Sequence, residues 1–336
     1  MTTNPHANCI DGHAHLAPLS FLNVVQGAAR SFGIKVERTT DGHAVDFPNM
    51  PNLRPAGGRL VDLDSRDEWM ESQGVTHQVT GPWLDIVGYT LAAPKEVEWV
   101  HLLNEHMAAA VSAAGDQFRA LATVPLRSGD AAAQELEWAV DKAGMVGAML
   151  PSDPVDVDVA NPSLESFWVT AAKLGVPVLL HGASHSKWDF FGPPYLAYSM
   201  GRTFDTTVLA AKLILGGVLD RNPDLKLVLC HGGGALPYMI GRVEDGYRRG
   251  IEKLGDLALG GPEAYLPKMY YDTVTLNERS LRMLADYVGA GHIMLGSDWV
   301  WGPMAQEFSG PVDRTIEGAE LESIRHETAE GLFGIA

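Results

Sequence analysis

The sequence predicts a (β/α)8 barrel, and three observations carry that prediction. Short apolar runs alternate with longer helix-period stretches along almost the whole chain. Eight such runs favour a closed barrel, and no dinucleotide-binding glycine fingerprint follows the first of them. Side chains suited to metal or proton chemistry recur where the runs end, which is where a barrel enzyme carries its active site.

The first run is Asn8–Asp11 (NCID). Gly74–Gly81, Phe118–Val124, Val146–Leu150, Val176–Leu180, Leu225–Cys230, Tyr270–Val274 and His292–Gly296 complete the eight. Runs that are apolar throughout, separated by helices, suit parallel strands covered on both faces. The helical stretches are Glu96–Ala114, Ala131–Ala143, Ser163–Leu174, Asp205–Leu219 and Glu278–Val288, each with apolar residues at three- and four-residue steps. Residues Pro18 to Gly58 break the alternation. They carry Gly, Pro and Asn clusters and one helical stretch, Phe21–Ala29, and are expected to form a small lobe inserted after strand one. The chain, residues 1–336, is expected to be a single barrel domain, a normal length for a barrel with an insertion. His231-Gly-Gly-Gly234 lacks the Walker Lys-Ser/Thr pair and the GxGxxG spacing, so it is not read as a phosphate cradle.

Composition narrows the partners. Hydrophobic residues make up 46% and charged residues 20%, which fits a soluble globular enzyme. Acidic residues outnumber basic ones 42 to 25, for a formal charge of −17. That balance argues against nucleic acid and against an anionic membrane surface, since no Lys/Arg cluster is available for phosphates. A small anionic substrate stays compatible, because a few arginines and a metal can dominate the field inside a cleft. Only Cys9 and Cys230 occur, so a reduced cytoplasmic protein is expected rather than a disulfide scaffold. Met1 to Asn8 shows neither the basic stretch nor the apolar run of a signal peptide.

Five residues stand at the ends of expected strands: His13 and His15 at strand one, His181 at strand five, His231 at strand six and Asp298 at strand eight. Residues i and i+2 on a strand point to the same face, so both imidazoles of His13-Ala-His15 can enter the barrel mouth. With His181 and a carboxylate oxygen of Asp298 they make a first shell for one divalent ion, zinc by expectation with manganese as the alternative. A mononuclear site also needs a group that takes a proton, and histidine as a residue type titrates near neutrality. His231 is therefore read as the acid/base rather than as a fifth ligand; the competing reading is a cap on Gly232–Gly234. A histidine near a strand is more often a hydrogen-bonded core residue than a ligand, and that reading is kept for His43, His77, His101, His106, His292 and His326. His185 lies on the loop after strand five and is read as a solvated loop residue.

These residues resemble the amidohydrolase superfamily, and within it the group related to aminocarboxymuconate-semialdehyde decarboxylase. The matching pieces are IDGHAH (Ile10–His15), NLRP (Asn52–Pro55), WMESQGVTHQV (Trp69–Val79), VPVLLHG (Val176–Gly182), HGGGALPYMIGRVEDGYRR (His231–Arg249) and MLGSDWVWG (Met294–Gly302). The resemblance implies a mononuclear barrel, usually dimeric, that breaks a C–C bond to a carboxylate without redox cofactors. It implies that His13, His15, His181 and Asp298 hold the metal and that His231 is the acid/base. Binuclear barrels of this type bridge two ions with a carboxylated lysine at the end of strand four; here that strand ends Met149-Leu150-Pro151, so one metal is expected. Arg54 and Arg242 match positions that grip substrate carboxylates, Arg242 from across the dimer interface; read without the resemblance, Arg242 is an ordinary helix-surface ion pair with Glu244 or Asp245. Trp299 and Trp301, beside Asp298, could form an aromatic wall against a flat substrate, or at least one of them could be structural. The loop after strand five and most of residues 18–58 do not match the decarboxylase pattern.

The function expected is metal-dependent, non-oxidative decarboxylation of an aromatic or ring-cleaved, conjugated carboxylic acid. A hydrolase or hydratase acting on an amide, a lactone or a conjugated double bond would use the same residues, and a non-catalytic barrel would be expected to have lost some of them.

Overall fold

In the computed structural model, residues 8–48, 50, 54–154, 157–182, 193–251, 254–299 and 307–335 are described. Among the described residues the strands are β1 (Cys9–Leu16), β2 (Lys35–Thr39), β3 (Gly42–Asp46), β4 (Val75–Pro82), β5 (Phe118–Ala120), β6 (Ala148–Pro151), β7 (Pro177–His181), β8 (Lys226–Leu229), β9 (Tyr270–Asp272) and β10 (Ile293–Met294). All but β2 and β3 pair in parallel, as β1-β4-β5 and β10-β9-β8-β7-β6. Two isolated parallel bridges join these groups into a ring. Ala122 pairs with Ala148 between β5 and β6, and Ala14 pairs with Trp299 between β1 and the segment leaving β10. Gly12 N–H donates to Leu295 O at 2.9 Å across the same seam. The strands match the eight predicted runs within a few residues. The largest difference is β1, which continues through His15 to Leu16 instead of ending near Asp11.

Helices alternate with the barrel strands: α1 (Leu19–Phe32), α2 (Asp64–Gln73), α3 (Ala93–Ala114), α4 (Gly129–Asp141), α5 (Glu165–Leu174), α6 (Arg202–Leu215), α7 (Leu236–Arg248), α8 (Glu278–Val288) and α9 (Thr328–Phe333). Their start signals are ordinary. Ser128 accepts from the Ala131 N–H ahead of α4, and Asn277 accepts from the Arg279 and Ser280 N–H groups ahead of α8. The barrel interior is filled by one buried side chain from most strands, among them Ile10, Val79, Met149, Leu179, Val228 and Met294. Leu332, Phe333 and Ile335, from α9 and the residues after it, join this cluster and close the end where the strands begin. A second, larger apolar layer lies between the strands and the surrounding helices. No helix among the described residues is long and apolar enough to cross a membrane, and both cysteines are buried and outside any disulfide.

The segment after β1 is more ordered than its sequence suggests. It holds α1 and an antiparallel hairpin of β2 and β3, where the sequence reading has a helix at 21–29 alone. The Asp41-Gly42 pair is a hairpin signal. Gly42 is required there: its φ is +131°, and a Cβ would fall 2.2 Å from Ala56 O. The lobe is fastened to α3 through one tryptophan. Phe21, Phe32 and Phe47 each set an edge against Trp99, with ring centroids 5.0, 5.0 and 5.2 Å away.

Candidate metal centre

All four predicted ligands meet at the barrel mouth where the strands end. One donor atom from each of His13, His15, His181 and Asp298 lies within 4.8 Å of the others. His15 Nε2 is 3.1 Å from Asp298 Oδ1 and 3.2 Å from His181 Nε2. His13 Nε2 and His181 Nε2 stand 3.7 and 3.6 Å from the same carboxylate oxygen.

The proton positions of this cluster fit a cation better than they fit hydrogen bonds. His181 Nδ1 donates to Gly182 O at 2.8 Å, which leaves a bare lone pair on Nε2. His13 Nδ1 lies 2.6 Å from Asp272 Oδ2, so its proton sits there, and its buried Nε2 has no hydrogen-bond partner. Burial presses the His15 imidazole down to about 4 and the His181 imidazole well below the usual histidine range, so both are neutral and able to bind a metal. Burial alone would raise Asp298, but His15, His181 and His231 outweigh it and hold the carboxyl well below its usual range. The neutral His15 and His181 imidazoles, the His13 Nε2 and one carboxylate oxygen suit a single divalent ion. Burial opposes a proton on His13, but Cys230 and Asp272 outweigh it and hold that ring well above the usual histidine range, so an ion binding there displaces a proton.

His231 stands beside this set. Its Nε2 is 3.7 Å from Asp298 Oδ2, on the oxygen opposite the one the other histidines face. His231 itself has φ +57°, and Asp298 has φ +49°. Left-handed backbone at non-glycine residues persists only where the surroundings hold it. Asp272 holds the first: its carboxylate accepts the His231 N–H at 3.0 Å and the Gly232 N–H at 2.9 Å. Asp11 holds the second through Ser297, accepting its N–H at 2.9 Å and its hydroxyl at 2.6 Å. Gly234 completes the turn with φ +63°, where a Cβ would stand 2.2 Å from Thr203 O.

Asp272 and Asp11 are absent from the sequence reading. Asp272 touches both the His13 ring and the His231 backbone, so one carboxylate orients two members of the site. Its position at the end of the seventh barrel strand is the signal that could have found it; the expected strand ran past it to Val274. His13, Cys230 and Asp272 form a second close group. Burial pushes the Cys230 thiol there up to about 11, and the Asp272 carboxylate is already engaged by His13 Nδ1 and by the His231, Gly232 and Val274 N–H groups. The fourth barrel strand carries no lysine.

The other predicted residues are placed as follows. Arg54 donates from Nε to Asp85 at 3.4 Å and lies 4.4 Å over the Trp83 ring, which in turn packs against His15. Trp299 does not form a wall against substrate. It is fully buried among Trp69, Arg59 and Phe308's neighbourhood, with Nε1 donating to Arg59 O at 3.3 Å, because the Ala14 bridge draws residue 299 into the barrel seam. Arg242 is exposed on α7 and does not line the cavity of its own chain. The expected surface pairing of Arg242 does not form either: Glu244 pairs with Arg248 and Asp245 with Arg249. Trp301 and His185 lie outside the described residues. His101, His106, His292 and His326 make local hydrogen bonds to Glu135, Ser20, Met269 O and Glu330.

A cavity of about 850 Å³ opens onto His231 and Asp298. A closed parallel barrel with three histidines and an aspartate at its strand ends defines a metal-dependent barrel enzyme of the mononuclear kind. Comparison with known proteins agrees: the amidohydrolase family profile matches residues 10–335, and the chain belongs to that family. It is 25% identical over 333 residues to 2-amino-3-carboxymuconate-6-semialdehyde decarboxylase of Dictyostelium discoideum, covering 97% of this chain and 89% of that protein. It is 29% identical to gamma-resorcylate decarboxylase of Rhizobium radiobacter, covering 82% and 88%. Among solved structures, dihydroxybenzoic acid decarboxylase from Polaromonas sp. JS666, with bound manganese and the inhibitor 2-nitroresorcinol, superposes with a TM-score of 0.78 at 23% identity, covering 98% and 97%.

Proposed function

We propose that this protein is a non-oxidative decarboxylase of an aromatic or conjugated carboxylic acid, with His13, His15, His181 and Asp298 holding one divalent ion and His231 carrying the proton. The observation that carries the reading is His231 Nε2, 3.7 Å from Asp298 Oδ2 and facing the same cavity. The nitrogen-rich donor set favours zinc, and the manganese bound to the Polaromonas enzyme makes that ion the alternative.

A bound divalent ion supplies Lewis acidity and a water of lowered pKa. The chain's own residues do the rest. Arg54 is the candidate grip on the departing carboxylate, since a planar guanidinium meets a carboxylate with two parallel hydrogen bonds. Loss of carbon dioxide leaves the bonding electrons on the ring or chain carbon, and His231 Nε2 delivers a proton there. The carbanion's lifetime depends on conjugation in the substrate, which is why a flat, unsaturated acid is the expected class. Asp272 keeps His231 aimed by holding its backbone, and Asp11 keeps Asp298 aimed through Ser297.

The test is carbon dioxide release. Metal-loaded protein is incubated with dihydroxybenzoates and with unsaturated ring-cleavage acids, and carbon dioxide is assayed together with loss of substrate. Release in proportion to substrate consumed is expected. Turnover of lactones, amides or double bonds with none from any acid would assign the site to hydrolysis or hydration instead.

A further inference from the structure

Two arginines that the proposed proton and metal chemistry does not use line this cavity, Arg202 and Arg279; Arg279 is exposed, and Arg202 is the buried one. It opens α6 immediately after a π-turn, Ala197–Gly201. Such turns insert one extra residue into a helix, re-aim the side chains around it, and recur at functional sites. The residue is held against the metal group. A Cβ on Gly182, the residue after His181, would stand 2.4 Å from Arg202 O and 2.6 Å from Arg202 Cβ. Arg202 lines the same cavity as His231 and Asp298.

Its environment is unusual for a guanidinium. Arg202 is 9% exposed, and its Cζ lies 4.7 Å over the Tyr198 ring. Among the described residues no carboxylate stands within 4.0 Å of its nitrogens, and none of them donates a hydrogen bond. The carboxylates whose charge reaches it are engaged elsewhere: Asp85 by Arg54, Asp298 by the histidines. Burial, with the Arg54 charge adding to it, pushes Arg202 below the usual arginine range. A guanidinium stays charged in any case. A buried charge without a partner is costly, and leaving one facing a cavity is sensible where a ligand brings the missing anion.

We propose that Arg202 binds a second, non-reacting carboxylate of the substrate, so that the preferred substrate is a dicarboxylic acid on one flat frame. The identity of the departing group rests on the decarboxylase reading above; the anion site itself does not. Arg54 and Arg202 then divide the labour, one at each acid group, and Tyr198 keeps the Arg202 plane fixed for a bidentate contact. The cavity of about 850 Å³ that Arg202 lines has room for one substituted ring.

The experiment measures binding by titration calorimetry on the metal-loaded full chain, with benzoate, phthalate, isophthalate and terephthalate as probes. At least one dicarboxylate should bind wild type roughly tenfold tighter than benzoate, and Arg202→Gln should erase most of that preference while benzoate affinity stays about the same. Arg202→Lys should restore part of it. Absence of any dicarboxylate preference in wild type, or its survival in Arg202→Gln, overturns the proposal. Thermal unfolding without ligand separates binding from scaffolding. An uncompensated charge predicts an unchanged or raised Tm in Arg202→Gln and Arg202→Met; a clear fall in both assigns Arg202 to the fold and overturns the proposal as well. Arg202-dependent dicarboxylate binding with no carbon dioxide from any acid would sink the decarboxylase reading and leave this one standing. Decarboxylation of monocarboxylates alone, with no Arg202 dependence, would do the reverse.

Discussion

Asp272 shows how much of this site is decided one atom beyond the ligands. Its Oδ2 takes the His13 Nδ1 proton and the His231 N–H, and its Oδ1 takes the Gly232 and Val274 N–H groups. Replacing it by asparagine keeps the shape but puts an N–H group where an acceptor is needed. Asp272→Asn should therefore weaken metal binding by about 10–100-fold, measured by competition with a chelator, without unfolding the barrel. Unchanged metal affinity would show that His13 does not need its carboxylate. His231→Ala should separate the two roles in the site. Metal content by elemental analysis should stay near that of wild type, and turnover should fall by roughly 10²–10⁴. Loss of the ion in that variant would make His231 a ligand instead. The histidines and Asp298 were legible because their side chains are chemically specific and stand at strand ends. Asp11 and Asp272 were not: both fell inside expected apolar runs, where the donors that converge on them do not show, and only the true end of the seventh barrel strand would have pointed to Asp272.

Elements explain why those donors converge. Strand β1 runs through His15 because its neighbours supply pairing on both sides: β4 along the whole strand, and Leu295 and Trp299 across the seam. A single sequence shows neither partner, so the expected strand stopped where the apolar run stopped. Helix α3 carries the pH-sensitive contact of this layer. Glu96 is buried there, and its carboxyl accepts the Leu126 N–H at 2.9 Å and the Arg127 N–H at 3.4 Å. Burial raises it from the ordinary 4.5 to about 7, against the pull of those N–H groups and Arg127. Between those values the folded chain keeps a proton that the unfolded chain has released, so stability falls as pH rises through this window. The stability is complete below the unfolded value and gone above the folded one. Urea unfolding of wild type and Glu96→Gln at pH 5 and pH 8 should show wild type losing on the order of 2–3 kcal/mol relative to the variant. A pH-independent difference would mean that the folded carboxyl titrates normally.

At the scale of the molecule, the barrel brings together residues as distant as His13 and Asp298 by closing β10 onto β1. Arg242 belongs to a larger scale still. It projects from α7 into solvent, on the helix whose Tyr238, 80% exposed, stands at the rim of the cavity. We propose that it serves the site of a second copy across a two-fold interface, as the family resemblance implies. Arg242→Ala and Asp298→Ala chains would each be inactive alone. Co-expressed with two different tags and purified as heterodimers, they should recover roughly half the activity of a wild-type dimer, because one of two sites is then complete. Verified heterodimers without recovery would place Arg242 outside the neighbouring site.

The sequence by itself determined the barrel and the side chains that gather as its candidate metal group. Both are local: periodicity reports which residues face a core, and histidine and aspartate declare their chemistry wherever they stand. Only the tertiary structure decided that Trp299 is packing, that Asp272 and Asp11 aim the site, and that Arg202 faces the cavity with no carboxylate partner among the described residues. Those properties depend on which groups, far apart in the chain, end within a hydrogen bond of one another. Seam closure, a π-turn and a left-handed residue set those distances, and no residue type announces them in advance.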